Sequence, residues 1–258
     1  MKHALKIIIP LVLVVVILAS ACWFFLSYRP DLTASVLVYW GDRYEASGRY
    51  GRAISFYKAA ARYAPDDWRI PVALSNAYVK DGNYTKSEYT LVSAITAHPE
   101  YPDLYIALSK TYVAQDKLLD AEQMLSRITN DKVKAKLDSL RPSTPVLSPD
   151  SGSYTDYISV SVTSKSGTTF LSSSGDFPSM LTDLYTGPVK LQGGETSIIA
   201  VTVGDNGLVS DAARAGYTVG HVVEKVTIKD STLDAYIRQT LNKSSSDDLM
   251  SDELWSIT

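Results

Sequence analysis

Cysteine is all but missing. The 258-residue chain holds one, Cys22. With no partner in the chain it excludes an internal disulfide framework and a cysteine metal site. Histidine is scarce too: His3, His98 and His221 are the whole set, and no two stand at a ligand spacing such as i, i+4. The G-x-G-x-x-G fingerprint, the phosphate loop and the G-x-S-x-G elbow are absent. No cofactor, metal or catalytic residue is therefore nominated, and the chain reads as a non-enzyme. A glycosidase needs two carboxylates about 5–10 Å apart in a cleft, and Asp176 and Asp183 are too isolated to serve. The pairs Asp66-Asp67 and Asp247-Asp248 read as charges at helix N-termini, where the helix dipole favours them. A clustered basic face is lacking as well. The net charge of -3 divides into +2 over residues 1–28, +2 over 29–141 (16 basic, 14 acidic) and -7 over 142–258 (7 basic, 14 acidic), which excludes a nucleic-acid footprint.

What the chain does have begins with Ile7–Leu26, IIIPLVLVVVILASACWFFL, an uncharged run of twenty residues. At 1.5 Å per residue it spans about 30 Å, the thickness of a bilayer's hydrocarbon core. The expectation is a single transmembrane anchor within residues 1–28. Cleavage at Ala19-Ser20-Ala21 and lipidation of Cys22 after Ala21 are the rival readings. Against both, Trp23-Phe24-Phe25-Leu26 carries the apolar run past the cut, where a cleaved signal turns polar. Lys2 and Lys6 precede the run and Arg29 follows it, so the positive-inside bias places the N-terminus in the cytoplasm and the later domains outside it.

The next hundred residues repeat with a period of 34. Trp40-Gly41 returns as Leu74-Ser75 and Leu108-Ser109; Tyr44 as Tyr78 and Tyr112; Gly48 as Gly82 and Asp116. Ala53 returns as Ser87 and Ala121, Tyr57 as Leu91 and Leu125, Ala60 as Ala94 and Ile128, and Pro65 as Pro99 and Val133. Small residues at fixed places let paired helices approach, large ones fill the space between, and proline stops each second helix. Val133, Leu137 and Leu140, at i, i+4 and i+7, read as a terminal capping helix. These columns, over residues 34–140, resemble the tetratricopeptide repeat. The resemblance implies three helical repeats and a cap within residues 31–141. It also implies a groove for a protein or peptide, lined from the first helix of each repeat: Ser35, Val38, Asp42 and Glu45; Arg69, Val72, Asn76 and Val79; Asp103, Ile106, Lys110 and Val113. Members that clamp a C-terminal carboxylate use lysine and asparagine where this chain has Val38 and Asp42, so that use is not implied here.

At Arg141 the texture changes. RPSTPVLSPDSGSY, rich in Pro, Ser and Gly, reads as a boundary or linker. Short strands are expected over 157–163, 168–172, 187–191, 196–203 and 215–219, with turns at Gly193-Gly194 and Asp205-Asn206-Gly207, giving a small antiparallel sandwich over 142–219. Ser148-Pro149, Gly152, Tyr154, Gly175, Pro178, Leu184-Tyr185-Thr186-Gly187-Pro188-Val189, Gly194, Thr196, Ile198, Ala200, Gly207, Ser210 and Tyr217 resemble the immunoglobulin-like domain found at the C-terminus of chitobiase. Ser174 stands where that family usually has Asp. Carbohydrate is the second ligand class weighed. The segment has no Trp to stack on a sugar; Tyr154, Tyr157 and Tyr185 could serve, but packing is their expected use.

From residue 220 the chain reads as an acidic helical tail. One stripe is Leu233, Ile237 and Leu241 after Asp230-Ser231; a second is Leu249, Leu254 and Ile257 after Ser246-Asp247-Asp248. VTIKDSTLDAYIRQTLNK followed by DELWSIT resembles the N-terminal cap of bacterial leucine-rich-repeat proteins, over 221–258. The expected whole is a multidomain α plus β protein: membrane helix, helical repeat array, immunoglobulin-like β-sandwich and short helical tail. Its expected work is partner binding or scaffolding at the bacterial cell envelope. A surface carbohydrate receptor and a cytosol-facing assembly adaptor are the alternatives.

Overall fold

The computed structural model describes residues 12–17, 20, 29–191, 193–220, 225–251 and 253–257. The chain forms two compact units. One takes the residues up to Pro142 together with Val203–Asp211; the other takes Ser143–Thr202 and the residues from Ala212 onward.

The first unit is an α-helical tetratricopeptide-type array followed by a short closing helix. Its helices are α1 (Pro30–Ala46), α2 (Tyr50–Tyr63), α3 (Arg69–Lys80), α4 (Tyr84–Ala97), α5 (Pro102–Val113), α6 (Leu118–Ser126) and α7 (Asp131–Asp138). The 34-residue columns explain the packing. Gly41, Ser75 and Ser109 are buried, as are Ala53, Ser87 and Ala121, and below them Tyr57, Leu91 and Leu125. Gly41 shows why the column must stay small: a Cβ there would lie 2.5 Å from Tyr57 Cε1. The turn inside each repeat needs a left-handed residue, supplied by Gly48 (φ 72°), Gly82 (φ 74°) and Asp116 (φ 59°). Asp is among the few side-chain-bearing residues that accept this region. Helix α2 ends two residues before Pro65 and α4 two residues before Pro99. The residue ahead of each proline, Ala64 or His98, is non-helical.

Asn130 caps α7 by accepting from the Lys132 and Val133 amides. Val133 and Leu137 are buried as the spacing predicts. Leu140 is not: it lies beyond the helix and is 39% exposed. A second element closes this end instead. Val203–Asp211 places Leu208, with no exposed surface, in one cluster with Tyr105, Leu125, Ile128, Val133 and Leu137.

The second unit is a β-sheet region with a tail. Its strands are β1 (Val146–Ser148), β2 (Gly152–Tyr154), β3 (Ile158–Thr163), β4 (Thr168–Ser172), β5 (Val189–Leu191), β6 (Gly194–Val203, its last residue in the first unit) and β7 (Ala213–Val219). They form two sheets, β1-β3-β5 and β2-β7-β6-β4. Val160 and Leu191 from the first sheet share a core with Leu171, Ile198, Ala200, Tyr217 and Val219 from the second. Two features depart from the sequence reading. The supposed linker contributes β1 and β2, and β2 pairs parallel to β7, so the region is not purely antiparallel. Three-residue strands set among Pro, Ser and Gly carry too little alternation to be seen. Ser174 organises its turn without a carboxylate of its own, through Ser172 Oγ at 2.9 Å and Asp176 Oδ2 at 3.2 Å.

In the tail, α8 (Ser231–Thr240) follows an Asp230 cap that accepts from the Thr232 and Leu233 amides. The second expected helix is absent among the described residues. Leu249 instead sits buried in β9 (Leu249–Met250), paired antiparallel with β8 (Lys225–Val226), and a single 3-10 turn covers Glu253–Ser256. Asp247 and Asp248 are accordingly not helix-end charges: Asp247 accepts from the Ser244 amide and Asp248 pairs with Lys225. His221 lies outside the described residues.

The apolar run Ile7–Leu26 lies for the greater part outside the described residues. Residues 12–17 are helical and 52–59% exposed. Among the described residues no helix is long and apolar enough to cross a membrane.

Candidate functional site

The first helix of each repeat carries the nominated groove residues: Ser35, Val38, Asp42 and Glu45 on α1, Arg69, Val72, Asn76 and Val79 on α3, and Asp103, Ile106, Lys110 and Val113 on α5. The structure divides them into an open part and a filled part.

The open part is a cleft of about 370 Å³ between α1 and the start of α3. Ser35, Val38, Asp42 and Arg69 line it. So do residues that the repeat pattern did not nominate: Asp31, Ala34 and Tyr39 from α1, Ala64 and Asp67 from the turn after α2, and Ile70. Ala34 and Tyr39 lie one residue from nominated positions on α1, but the turn residues have no helical period and so left no signal. Tyr39 is 58% exposed.

The charges of this region are largely spoken for. Arg69 grips Asp67 through both carboxylate oxygens, at 2.8 and 2.7 Å. That side-chain hydrogen bond, the largest influence, holds the Asp67 carboxyl below the usual range. Arg29 likewise binds Asp31 at 3.4 Å. Lys80 Nζ donates to Glu45 at 2.7 Å and its pKa rises on account of that bond. Beneath them the Tyr57 hydroxyl lies 2.7 Å from Asp42 Oδ1 and 2.8 Å from Glu45 Oε2. Burial first, and the two carboxylates next, keep that hydroxyl protonated far above the ordinary tyrosine range. Asp42 is exposed and, among the described residues, has no cationic partner. Arg29, Arg69 and Lys80 are therefore ion-paired, while Asp42 is left over.

The filled part is at the third repeat. Ser109 Oγ donates to the Gly207 carbonyl at 2.7 Å, Ile106 packs on the cluster that contains Leu208, and a Cβ on Gly207 would lie 2.3 Å from Lys110 Cγ. Asn206 Nδ2 donates to the Leu140 carbonyl, and Arg141 donates to the Val209 carbonyl while pairing with Asp211 at 2.7 Å. The chain's own residues 203–211 thus cover this stretch of the face. Between the two parts, Val72 packs against the cluster of Leu91, Ala94 and Leu104, Asn76 is exposed and Val79 half-buried; Asp103 is exposed and Val113 half-buried on α5. In the sequence Asp205-Asn206-Gly207 reads only as a turn, and the apolar Leu208-Val209 after it is the sole hint of a docking segment.

Of the tyrosines considered for sugar stacking, Tyr154 donates its hydroxyl to the Asp150 carbonyl and packs on the β core, and the Tyr185 hydroxyl accepts from the Val162 amide. Both are structural. Among the described residues no three His, Cys, Asp or Glu side chains gather closely enough to hold a metal ion.

The geometry defines a helical-repeat protein with a peptide-sized cleft on its first two repeats. In the comparisons, residues 81–141 match the tetratricopeptide repeat family. A stretch of 95 residues is 27% identical to superkiller protein 3 of Schizosaccharomyces pombe, covering 37% of this chain and 7% of that relative. Among solved structures, the second tetratricopeptide domain of human RPAP3 in complex with an HSP70 peptide is 21% identical, covering 43% of this chain and 97% of that one, with a TM-score of 0.35. The Yersinia enterocolitica secretion chaperone SycD, in complex with a peptide of the translocator YopD, is 18% identical, covering 42% and 86%, with a TM-score of 0.35.

Proposed function

We propose that this protein binds a segment of a partner protein in the open groove of its first two repeats, and that it does so from a membrane anchor formed by Ile7–Leu26. The observation that carries the binding reading is the cleft between α1 and α3, where Val38 and Tyr39 offer apolar surface over the buried Ile70, beside Asp42 and Arg69. A pocket with an apolar wall and a few placed polar groups is the usual form of a recognition site. The β-sheet region is read as an immunoglobulin-like module related to the chitobiase C-terminal domain, and the protein as a scaffold of the bacterial envelope with its domains outside the cytoplasm.

Site-specific photo-crosslinking in cells tests the groove. A crosslinker at Tyr39 is expected to trap a discrete partner that one at Tyr89, 75% exposed on α4, does not trap, and Val38→Arg is expected to abolish the adduct. Identical adducts from both positions, or none, would overturn the reading. The anchor is tested separately by placing a single cysteine at exposed Asp66 in a Cys22→Ser background. Labelling of intact cells by an impermeant maleimide is expected, and labelling only after permeabilisation would reverse the orientation.

A further inference from the structure

We propose that the open groove selects an extended segment carrying an arginine beside an apolar residue, with Asp42 as the partner of the guanidinium; this rests on the groove reading above. The column of Asp42 is the first ground. At the 34-residue spacing it returns as Asn76 and Lys110, so the equivalent position on α1, α3 and α5 passes from negative through neutral to positive. At the positive end the stem of Lys110 lies against the Gly207 backbone, so residues 203–211 occupy the face there although Lys110 itself is exposed. What stays open is the acidic and amide part.

The second ground is the fate of every other charge at the cleft. Asp31, Asp42 and Asp67 line it against the single cation Arg69. Arg69 is held bidentately by Asp67, Asp31 is served by Arg29, and neighbouring Glu45 by Lys80. A ligand carboxylate would find no free cation and would face a surplus of negative charge. A ligand cation finds Asp42, whose Oδ1 already accepts from Tyr57 and is thereby fixed in place while Oδ2 has no partner among the described residues. Arginine fits better than lysine, because its flat, weakly hydrated fork can bond the carboxylate while its stem lies on Val38 and Tyr39. The third ground is the chain's own occupant of the third repeat. Residues 203–211 present an apolar side chain, Leu208, to the cluster that Ile106 joins, and a backbone carbonyl to Ser109. Ile106 is the counterpart of Val38 by the repeat. The closed end of the array thus takes a segment with an apolar residue at the margin of Ile106, and at the first repeat the charge beside the equivalent position is reversed.

The test is selection of a random heptapeptide phage library on the full chain in detergent micelles, in parallel with Asp42→Asn and Val38→Arg. Asn keeps an acceptor for Tyr57, so the groove is left built. Sequences that enrich on the native chain and not on Val38→Arg are expected to carry arginine next to an aliphatic residue. A synthetic copy with blocked ends should bind about tenfold more weakly to Asp42→Asn, the scale of one charge-assisted hydrogen bond. Replacing its arginine by neutral citrulline should cost the native chain a similar factor, a readout that leaves the protein untouched. Groove-dependent sequences that lack a basic residue, or an arginine peptide indifferent to both changes, would overturn this proposal while leaving the groove. Enrichment that ignores Val38→Arg would overturn the groove reading and this proposal with it.

Discussion

Tyr57 ties packing to recognition at the scale of a single residue. Its ring fills the space that Gly41 leaves, and its hydroxyl reaches two of the nominated groove carboxylates, Asp42 and Glu45. Gly41→Ala drives a methyl to within 2.5 Å of that fully buried ring. Overpacking of this kind costs about 1–3 kcal/mol; urea denaturation of the native chain and the variant measures it. The same tyrosine sets an alkaline limit. Tyr57, by burial and then its two carboxylates, and Lys80, by its bond to Glu45, both have raised pKa values in the folded chain. Each contribution is complete below the unfolded pKa and is lost as pH climbs towards the folded one. The helical unit should therefore lose stability above about pH 10, where unfolded Tyr and Lys titrate, and Tyr57→Phe should lessen the loss. Asp67, depressed by Arg69, acts in the opposite window: its share is lost as pH falls below about 4, and Asp67→Asn should flatten that acid limb in thermal melts. Asp42 and Glu45 could be nominated because they fall at repeating positions, and of the two only Asp42 lines the cleft. Their tie to Tyr57 was not legible, because a column records what is alike between repeats, and the other two carry leucine there.

Elements were legible in proportion to how much local pattern each needs. The array spells its turns out: Gly48, Gly82 and Asp116 recur at one spacing and all three have positive φ. Gly82 isolates the backbone term, since a Cβ there meets nothing within 4 Å. Gly82→Ala should cost about 1–2 kcal/mol, the left-handed penalty for an L-residue, and should show as a lower denaturation midpoint with an unchanged slope. The β region is less legible because its chain order is not its sheet order. β3, β4, β6 and β7 run to five residues or more and show in the sequence as apolar-rich segments between turns. β1, β2 and β9 have two or three residues each, and partners, not periodicity, make them strands. The tail misled for the same reason: Leu249, Leu254 and Ile257 have helical spacing, yet Leu249 is held by pairing with Val226.

Over the whole chain, contact and sequence order part company at one place, and that place controls the helical unit. The unit is assembled from the residues up to Pro142 and from Val203–Asp211, with residues 143–202 between them in the chain. A reading of periodicity sees a finished array at α7, because the capping helix supplies Val133 and Leu137. The structure shows that these two, with Tyr105, Leu125 and Ile128, also need Leu208 to close their cluster. A protein cut after residue 142 therefore keeps every helix of the array but loses a fully buried leucine, the Ser109–Gly207 bond and the Val209 and Asp211 partners of Arg141. In the intact chain Leu208→Ala removes the first of these alone, and large-to-small changes at such sites cost about 2–5 kcal/mol. Hydrogen exchange should locate the effect, with faster exchange in α5, α6 and α7 and none in α1 or α2. A fragment of residues 29–142 should show the same local loosening more strongly. Equal protection of α5–α7 in fragment and intact chain would mean that the array is closed by its own last helix, and that residues 203–211 merely rest on it.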